Sequence, residues 1–386
     1  MAEEVSSGPN PAEPNEADEF EGPTPMVEEV LACQFSSWYP TFSRVVPLET
    51  ECETDQALPL ARKNVTINSV IIEDLPSPDF QNYLLSDGVK LPRGATKLSS
   101  CAGASNTIKD SDDEISDDDS VTFQFPELNQ KIIETIQEKF PSAGGVLPKL
   151  NWSAPRDATW INEGSMRCKT PGDVYLLLKS SDFCTHDVLH ESLKECTNYQ
   201  PEIPTPPLQL VLRKWCNLNP SMEFRCFVRN HELIGISQRQ HSVHYPHLNE
   251  DRDRLFDLIH DFFEDYVVRR FAGGDIPNYV WDVFVDKKDR AWVVDFNPWS
   301  KVTDSLLYEW SELVSMDLDD VQDPESGMKI ATSEREVKHD PLASYRAPID
   351  TVDLASMTHG DAKQFEEFMK LCQRPTYWEE NSSDEE

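Results

Sequence analysis

The feature that most constrains this chain is a pair of apolar runs, residues 280–286 (VWDVFVD) and 291–297 (AWVVDFN), separated by a polar loop at 287–290 (KKDR). Runs of β-branched and aromatic residues on either side of a short polar loop are typical of an antiparallel hairpin. The loop length predicts that Asp282 lies opposite Asp295. The hairpin therefore places two carboxylates side by side on one sheet.

The two faces of this hairpin differ in character. Alternation along the strands puts Asn297 on the same face as the two aspartates, and the same register pairs Phe284 with Val293. This polar face is predicted to lie outside the core. The opposite face is apolar throughout and is predicted to be core; it consists of Trp281, Val283, Val285, Trp292, Val294 and Phe296.

Two opposed carboxylates on a half-buried sheet repel each other and are costly to remove from water. A hard divalent cation would neutralise them, and Mg²⁺ prefers the oxygen ligands that Asp282, Asp295 and Asn297 supply. The hairpin therefore suggests a magnesium site. The alternative is a hairpin whose aspartates are simply solvated.

The charge of the chain is strongly uneven. Residues 1–30, 110–120 and 379–386 carry nine, seven and five acidic residues and no Lys or Arg, and the net charge of the chain is −35. Residues 1–28, the insert around 110–120 and the tail at 379–386 lack the apolar content to fold and are predicted to be disordered. Because the acidity dominates, nucleic-acid binding through a basic face is not expected. Ser111 and Ser116 precede acids and suit an acidophilic kinase, but a merely solubilising loop explains the insert equally well.

The nine cysteines show no Cys-x-x-Cys spacing, which favours reduced, mostly buried thiols over a disulfide or zinc framework. No apolar run reaches about 18 residues, and no signal peptide is recognisable. We therefore expect a monomeric cytoplasmic protein with no membrane contact.

Regular elements are predicted along the rest of the chain. Alternation predicts strands at 64–72, 208–215, 223–228 and 233–240, and apolar spacing predicts helices at 126–140, at 250–271, from Leu306 to Leu313 and at 361–372. The segment 185–207 is interpreted as a polar, Pro-rich connection, and 316–340 as irregular. A short helix is expected around Phe80 and Tyr83, and another is predicted to be capped by residues 170–173. An aromatic cluster at residues 35–42 is interpreted as a core anchor.

Basic residues interrupt otherwise apolar strands. Arg213, Arg225 and Arg239 lie in three consecutive predicted strands, which favours an anion site in so acidic a chain. Lys149 stands at the end of a short strand, before a loop of small residues that ends at Arg156. Such loops bring backbone amides and cations to phosphates, although a surface lysine before a turn is the commoner case.

Several long motifs resemble the cell-division-cycle (D123-type) family of assembly factors for eukaryotic translation initiation factor 2, and the order of the elements resembles an ATP-grasp nucleotide site. The motifs that carry the resemblance are 33–40 (CQFSSWYP), 148–158 (PKLNWSAPRDA), 211–216 (VLRKWC), 223–228 (EFRCFV), 234–239 (IGISQR), 294–298 (VDFNP) and 302–306 (VTDSL). The resemblance implies an α+β, two-lobed, ATP-grasp-like fold with mostly antiparallel sheets and disordered acidic tails.

The resemblance also implies a set of ATP-binding residues and a metal set. The metal set is Asp282, Asp295 and Asn297, with Mg²⁺ as the ion. No catalytic residue is implied. The implied ATP contacts are Lys149, Asn151, Trp152, Ala154, Arg156, Leu212, Arg213, Lys214, Trp215, Glu223, Arg225, Arg239, Asp282, Asp295 and Asn297.

By the same resemblance the chain is expected to be an ATP-binding chaperone that holds the gamma subunit of translation initiation factor 2 and promotes its joining to the other subunits. That role would link it to translation initiation and the cell cycle. The alternative is an ATP-grasp ligase or phosphotransferase acting on a carboxylate. The expected domains are an acidic tail at 1–28, an N-terminal lobe at 29–205 with an insert at about 92–122, an ATP-grasp lobe at 206–315, a partner-binding extension at 316–378 and an acidic tail at 379–386.

Overall fold

A computed structural model describes residues 22–45, 63–88, 90–95, 123–317 and 323–339. Within these ranges the fold is α+β, with two sheets in which antiparallel pairing dominates, as the sequence predicts. Residues 1–21 of the acidic tail predicted at 1–28, residues 96–122 of the acidic insert with Ser111 and Ser116, and the helix predicted at 361–372 lie outside the described residues. The disorder predicted up to residue 28 is wrong at its end, because Val27 is buried and begins a helix.

The described part of the chain contains ten α-helices. They are Val27–Ala32 (α1), Phe35–Phe42 (α2), Asp79–Leu85 (α3), Pro126–Glu134 (α4), Pro171–Lys179 (α5), Asp182–Val188 (α6), Glu191–Lys194 (α7), Pro246–Phe262 (α8), Trp310–Ser315 (α9) and Pro324–Gly327 (α10). Helix α5 shows why they begin where they do: Thr170 accepts a 3.2 Å hydrogen bond from the Asp173 amide, and Pro171 occupies the first turn, where no amide donor is needed.

The first sheet has three strands, Ser69–Ile72 (β1), Val146–Lys149 (β2) and Leu210–Lys214 (β3), with β3 in the centre and both pairings antiparallel. Helices α3, α4 and α5 cover it. Their buried apolar side chains form one core with those of the sheet, including Phe80, Tyr175 and Leu212.

The second sheet has five strands in the order β7-β6-β4-β5-β8. Only the edge strand β8 pairs in parallel. The strands are Glu223–Arg229 (β4), Glu232–Gln238 (β5), Tyr279–Val285 (β6), Ala291–Pro298 (β7) and Met328–Lys329 (β8). Helix α8 and helix α2 pack on this sheet, so the aromatic cluster at 35–42 is a core anchor, as predicted.

A β-bulge corrects the predicted register of the hairpin. Asp282 does lie opposite Asp295, but Phe284 pairs with Trp292, not Val293, because the register shifts between Asp282 and Val283. The shift turns Val293 into the core, where it is fully buried, and leaves Trp292 and Val294 only partly buried. The prediction that Trp292 and Val294 are core residues is therefore wrong.

The backbone of the bulge is held by the other sheet and its flanking segment. The Val293 amide donates to the Val65 carbonyl, the Thr66 hydroxyl donates to the Val293 carbonyl, and Arg213 donates to the Val294 carbonyl, each at 2.8 Å. The backbone groups that leave the regular ladder thus still have partners.

Other predicted boundaries also change. The connection predicted at 185–207 contains the end of α6 and all of α7, and the segment 316–340, interpreted as irregular, contains α10 and β8. The helix predicted from Leu306 begins only at Trp310, because Leu306 has a φ of 58° and cannot sit in a right-handed helix. The strand predicted at 64–72 is limited to β1, whereas the helices predicted at 126–140 and near Phe80 and the capped helix α5 are confirmed.

The long predicted helix at 250–271 begins and ends earlier in the structure. Helix α8 starts at Pro246 and is followed by a wider turn at Phe263–Val267. The six cysteines in the described part of the chain are free thiols, and five of them are buried, as expected. No described helix is long and apolar enough to cross a membrane.

Candidate functional site

A cavity of about 860 Å³ lies where the loop after β2 faces the five-stranded sheet. One wall comes from the loop, α6 and α7, and the other comes from β4, β6, β7 and the segments that follow β5 and β7. Its lining includes Trp152, Ser153, Ala154, Arg156, Asp182, His186, Glu195, Arg225, Arg239, His241, Asp282, Asp295, Asn297, Val302 and Asp304.

Asp282 forms the central ion pair of the sheet wall. It lies directly opposite Arg225 on the neighbouring strand β4, which donates from Nε at 2.8 Å and from Nη2 at 2.9 Å. Arg239 lies 3.6 Å from the second oxygen of the same carboxylate. Asp282 is only 5% exposed, so it is not the solvated residue that its polar face suggested. Although burial disfavours its charge, the two arginines hold the pKa of Asp282 below its usual range.

Asp295 forms a different pair, with a lysine from the other sheet. The Lys149 ammonium donates to Asp295 Oδ2 and to the Trp152 carbonyl. Lys149 is almost fully buried, whereas the Asp295 side chain is 20% exposed. Both opposed carboxylates thus have a protein cation as partner. These cation partners were not predicted from the sequence, where a metal ion was expected to neutralise the two carboxylates.

Besides Arg239 Nε, two polar atoms beside these pairs are buried and lack a hydrogen-bond partner among the described residues: Asp295 Oδ1 and Asn297 Nδ2. Both residues line the cavity. The described ranges contain no group of three or more His, Cys, Asp or Glu side chains able to hold a metal. The predicted metal set has two carboxylates and one amide, and the free atoms lie on Asp295 and Asn297.

Three guanidinium groups, those of Arg156, Arg225 and Arg239, line the same cavity. Burial and the neighbouring charges of Arg156 and Arg225 lower the pKa of Arg239 to about 9. A lowered pKa means that the protonated cation is held at an energetic disadvantage here. An anion placed among these side chains would relieve that repulsion.

The loop wall is fixed by two buried aspartates. Asp187 on α6 accepts hydrogen bonds of 2.9 and 2.8 Å from the amides of Trp152 and Ser153, and one of 2.8 Å from the Ser153 hydroxyl. In return, Asp157 from the loop accepts from the Ser181 hydroxyl at 2.6 Å and from the Asp182 amide at 2.7 Å, at the start of α6. The loop and the helix therefore hold each other in place. Burial raises the pKa of both carboxyls despite these bonds.

Comparison with known proteins assigns the chain to a family. The sequence profile of the family described as D123 matches residues 61–355. The chain belongs to the D123 family. The translation initiation factor eIF2 assembly protein of Xenopus tropicalis is 39% identical over 353 residues, covering 89% of this chain and 96% of that protein. The cell division cycle protein 123 of Phaeosphaeria nodorum is 42% identical over 261 residues, covering 65% of this chain and 66% of that protein.

A solved structure of the family has the same fold. The structure of Cdc123 from Schizosaccharomyces pombe matches with a TM-score of 0.56 and 32% identity, covering 78% of this chain and 96% of that one. The resemblance to this family, inferred from the motifs, is confirmed.

The D123-family chain brings many of the predicted ATP contacts together, but not all. Asn151 is buried and structural, since it bonds the Pro207 carbonyl at 2.9 Å and the Gln209 amide at 2.8 Å. Arg213 lies 5.4 Å from the Phe35 ring, donates to the Val294 carbonyl in the bulge and is not among the residues that line the cavity. The predicted contacts that line the cavity are Trp152, Ala154, Arg156, Arg225, Arg239, Asp282, Asp295 and Asn297; those that do not are Lys149, Asn151, Leu212, Arg213, Lys214, Trp215 and Glu223.

The D123-family cavity also has lining residues that were not predicted to belong to the site, although 302–306 is one of the family motifs. They come from the short helices α6 and α7 and from the segments after β5 and β7. Only one sequence pattern points to the residues on α6 and α7: Ser181 followed by Asp182 is typical of a helix start. In the structure Ser181 does cap α6. The missed lining residues include Asp182, His186, Ser192, Glu195, Gln240, His241, Ser242, Val302, Thr303 and Asp304.

Proposed function

We propose that this protein binds ATP with Mg²⁺ in the cavity between the loop wall and the sheet wall, and that it uses this complex to assemble translation initiation factor eIF2. The observation that carries the nucleotide part is the convergence of three guanidinium groups on a cavity that also holds an unpartnered carboxylate oxygen.

The charges favour a polyphosphate over a small anion. Arg225 is already paired with Asp282, but Arg156 has no ion-pair partner among the described residues, and Arg239 shares a carboxylate that Arg225 holds more closely. Guanidinium groups bind phosphate oxygens in pairs and remain charged at neutral pH. A triphosphate would place several oxygens among these groups, which a single carboxylate could not do.

The residues present suit Mg²⁺ on one side of the site. Asp295 keeps one buried oxygen free, and the Asn297 side chain, whose amide can be oriented either way, is also unpartnered in the described chain. Both oxygens of Asp282 accept from Arg225, so its part would be to hold the arginines. When bound, the ion would supply positive charge to phosphate oxygens that the arginines do not reach.

The assembly role rests on the relatives. The Xenopus tropicalis relative bears the name translation initiation factor eIF2 assembly protein, and we infer the same role here, with the gamma subunit as the direct partner. A monomeric, cytoplasmic protein is part of this proposal. A nucleotide that contacts both walls would bind most tightly when the walls are close together. Its binding would therefore shift the protein toward that closed form.

Calorimetric titration tests the nucleotide part. Arg239→Met should weaken ATP binding in the presence of Mg²⁺ about 10- to 100-fold, because a charge-assisted phosphate contact is worth about 1.5–3 kcal/mol. Adenosine, which has no phosphate, should bind Arg239→Met and the unaltered protein alike. Arg335→Met, at an exposed position outside the cavity lining, is the matched control. Equal losses for both ligands would show that Arg239 does not contact phosphate.

A second measurement tests what the nucleotide does. Purified gamma subunit, its partner subunits and ATP are incubated with this protein, and both the assembled complex and ADP are quantified. The proposal expects assembly to depend on ATP and on Arg239, with no covalently modified product. If ADP forms in stoichiometric amount together with a covalently modified subunit, the protein is a ligase or phosphotransferase and the proposed chaperone function is wrong.

A further inference from the structure

Exposed apolar side chains lie on or next to the chain segments that line the cavity, and we call these segments the mouth of the cavity. Seven large apolar residues of the described chain stand out as exposed, and four of them lie on or beside the segments that line the cavity. Val302 lines it and is 60% exposed, Val243 follows the lining residue Ser242, and Leu189 lies in the turn between α6 and α7. The fourth is Met26, next to the lining residue Pro25.

The segment that presents Val302 is firmly held. The Thr303 hydroxyl donates to the Pro298 carbonyl at 2.8 Å, and the Trp310 indole donates to the Thr303 carbonyl at 2.9 Å. Leu306 is buried with a φ of 58°, a conformation that a bulky residue adopts only when its surroundings impose it. An apolar side chain on such a fixed segment loses little freedom when a partner covers it.

Charge accompanies the apolar residues. The carboxylates of Asp182, Glu195 and Asp304 line the cavity, all three residues are exposed, and none forms an ion pair within the described ranges. They differ in this respect from Asp282 and Asp295, which are paired deeper in the site. The mouth therefore combines exposed apolar side chains with three carboxylates that form no ion pair among the described residues.

We propose that the cavity mouth is the docking surface for the protein partner, and that the partner presents apolar side chains next to lysine or arginine side chains. This deepens the proposed function and rests on it, with the gamma subunit as the partner. Apolar contacts would supply most of the affinity, and the unpaired carboxylates would speed the encounter with a basic surface. The partner would then close the cavity over its contents.

Two pairs of double variants in the full chain test this surface. Leu189→Ser with Val243→Ser removes apolar groups from the mouth. Its control is Leu85→Ser with Val314→Ser, at sites equally exposed but outside the cavity lining, with exposures of 44% and 42% against 41% and 39%. We expect the mouth variant to bind purified gamma subunit about tenfold more weakly and the control to bind within about twofold of the unaltered protein.

The charge test uses association rates. Asp182→Asn with Glu195→Gln should slow association with the gamma subunit about fivefold at low salt and flatten its salt dependence, because the screened long-range attraction is lost. Glu250→Gln with Asp253→Asn removes two exposed acids elsewhere, on helix α8, and should change neither measurement.

ATP titration of the same proteins separates the two possible failures. If the unaltered protein binds ATP and the gamma subunit, but each mouth variant behaves like its control, the docking surface is wrong and the proposed function stands. If the unaltered protein does not bind the gamma subunit, both are overturned.

Discussion

Two ion pairs lie near each other beside the cavity, and they differ in the elements that they join. Arg225 and Asp282 belong to neighbouring strands of one sheet, and their side chains are 5% and 7% exposed. Lys149 and Asp295 come from different sheets, and the carboxylate is 20% exposed. The first pair sets the charge within one wall, whereas the second connects the two sheets that flank the site.

The difference shows how a protein can bury charge for two purposes. A pair within a sheet is fixed by the strand register, so its geometry does not depend on the position of the other sheet. A pair between sheets forms only when the sheets are correctly placed, so it reports their arrangement. We therefore expect the first pair to matter more for stability, and the second to matter more for the coupling of ligand binding to closure.

The largest effect is expected from Asp282→Ala. The variant leaves Arg225 buried without its carboxylate, beside Arg239, and should lower the free energy of unfolding by about 3–5 kcal/mol in urea denaturation. This reverses the expectation from the sequence, in which a residue on a polar face tolerates substitution.

A second measurement on Asp282→Ala uses an added polyanion, tripolyphosphate, to detect the unpaired guanidinium group. Tripolyphosphate should raise the melting temperature of Asp282→Ala more than that of the unaltered protein, because the variant has an unneutralised guanidinium to offer. A loss below about 1 kcal/mol would mean that the pair adds little to the stability of the sheet wall.

Lys149→Met is expected to have an intermediate effect. Asp295 can reach the water of the cavity, so the loss of its partner should cost about 2 kcal/mol, less than the loss of a fully buried partner. ATP affinity should fall because the ion pair from Lys149 to Asp295 no longer connects the loop wall to strand β7. If the variant were more destabilised than Asp282→Ala, the contrast between the two pairs would be wrong.

The smallest effect tests the bulge next to Asp295. Val293→Ala should cost about 1.5 kcal/mol, because it leaves a small cavity in the core, whereas Trp292→Ala should cost less than about 1 kcal/mol. Trp292 is partly buried, lies over the Arg290 guanidinium and bonds Asp286 at 3.2 Å. Urea denaturation of both variants measures these losses. A larger loss for Trp292→Ala than for Val293→Ala would support the predicted register without a bulge.

The sequence predicted the hairpin and the opposition of Asp282 and Asp295 because both follow from local alternation and loop length. It missed the bulge because the partners of the extra backbone groups, Thr66 and Arg213 among them, come from distant parts of the chain. The pairing of Lys149 and Arg225 with the two carboxylates was missed for the same reason. Each lies on a strand whose neighbour is set by tertiary packing.

The candidate site shows the same division. Arg225 and Arg239 could be predicted because a charged residue in an apolar strand is unusual. The contributions of α6 and α7 could not be predicted, since helices of seven and four residues are too short to show a clear apolar period. The mouth of the cavity was missed for that reason.

The N-terminal helices have a consequence for how the protein can be divided. Helix α1 packs against α7 beside the loop wall, while Phe35, Trp38 and Phe42 of α2 join the core of the five-stranded sheet, where Phe296 contacts two of these rings. A single cut between the two sheets, for example after residue 205, would leave α2 on the wrong fragment. The aromatic side chains of α2 would then be exposed on one piece, and the core around Phe296 would be left open on the other. Neither fragment would have a complete core, so we expect the two sheets to fold only as parts of one chain.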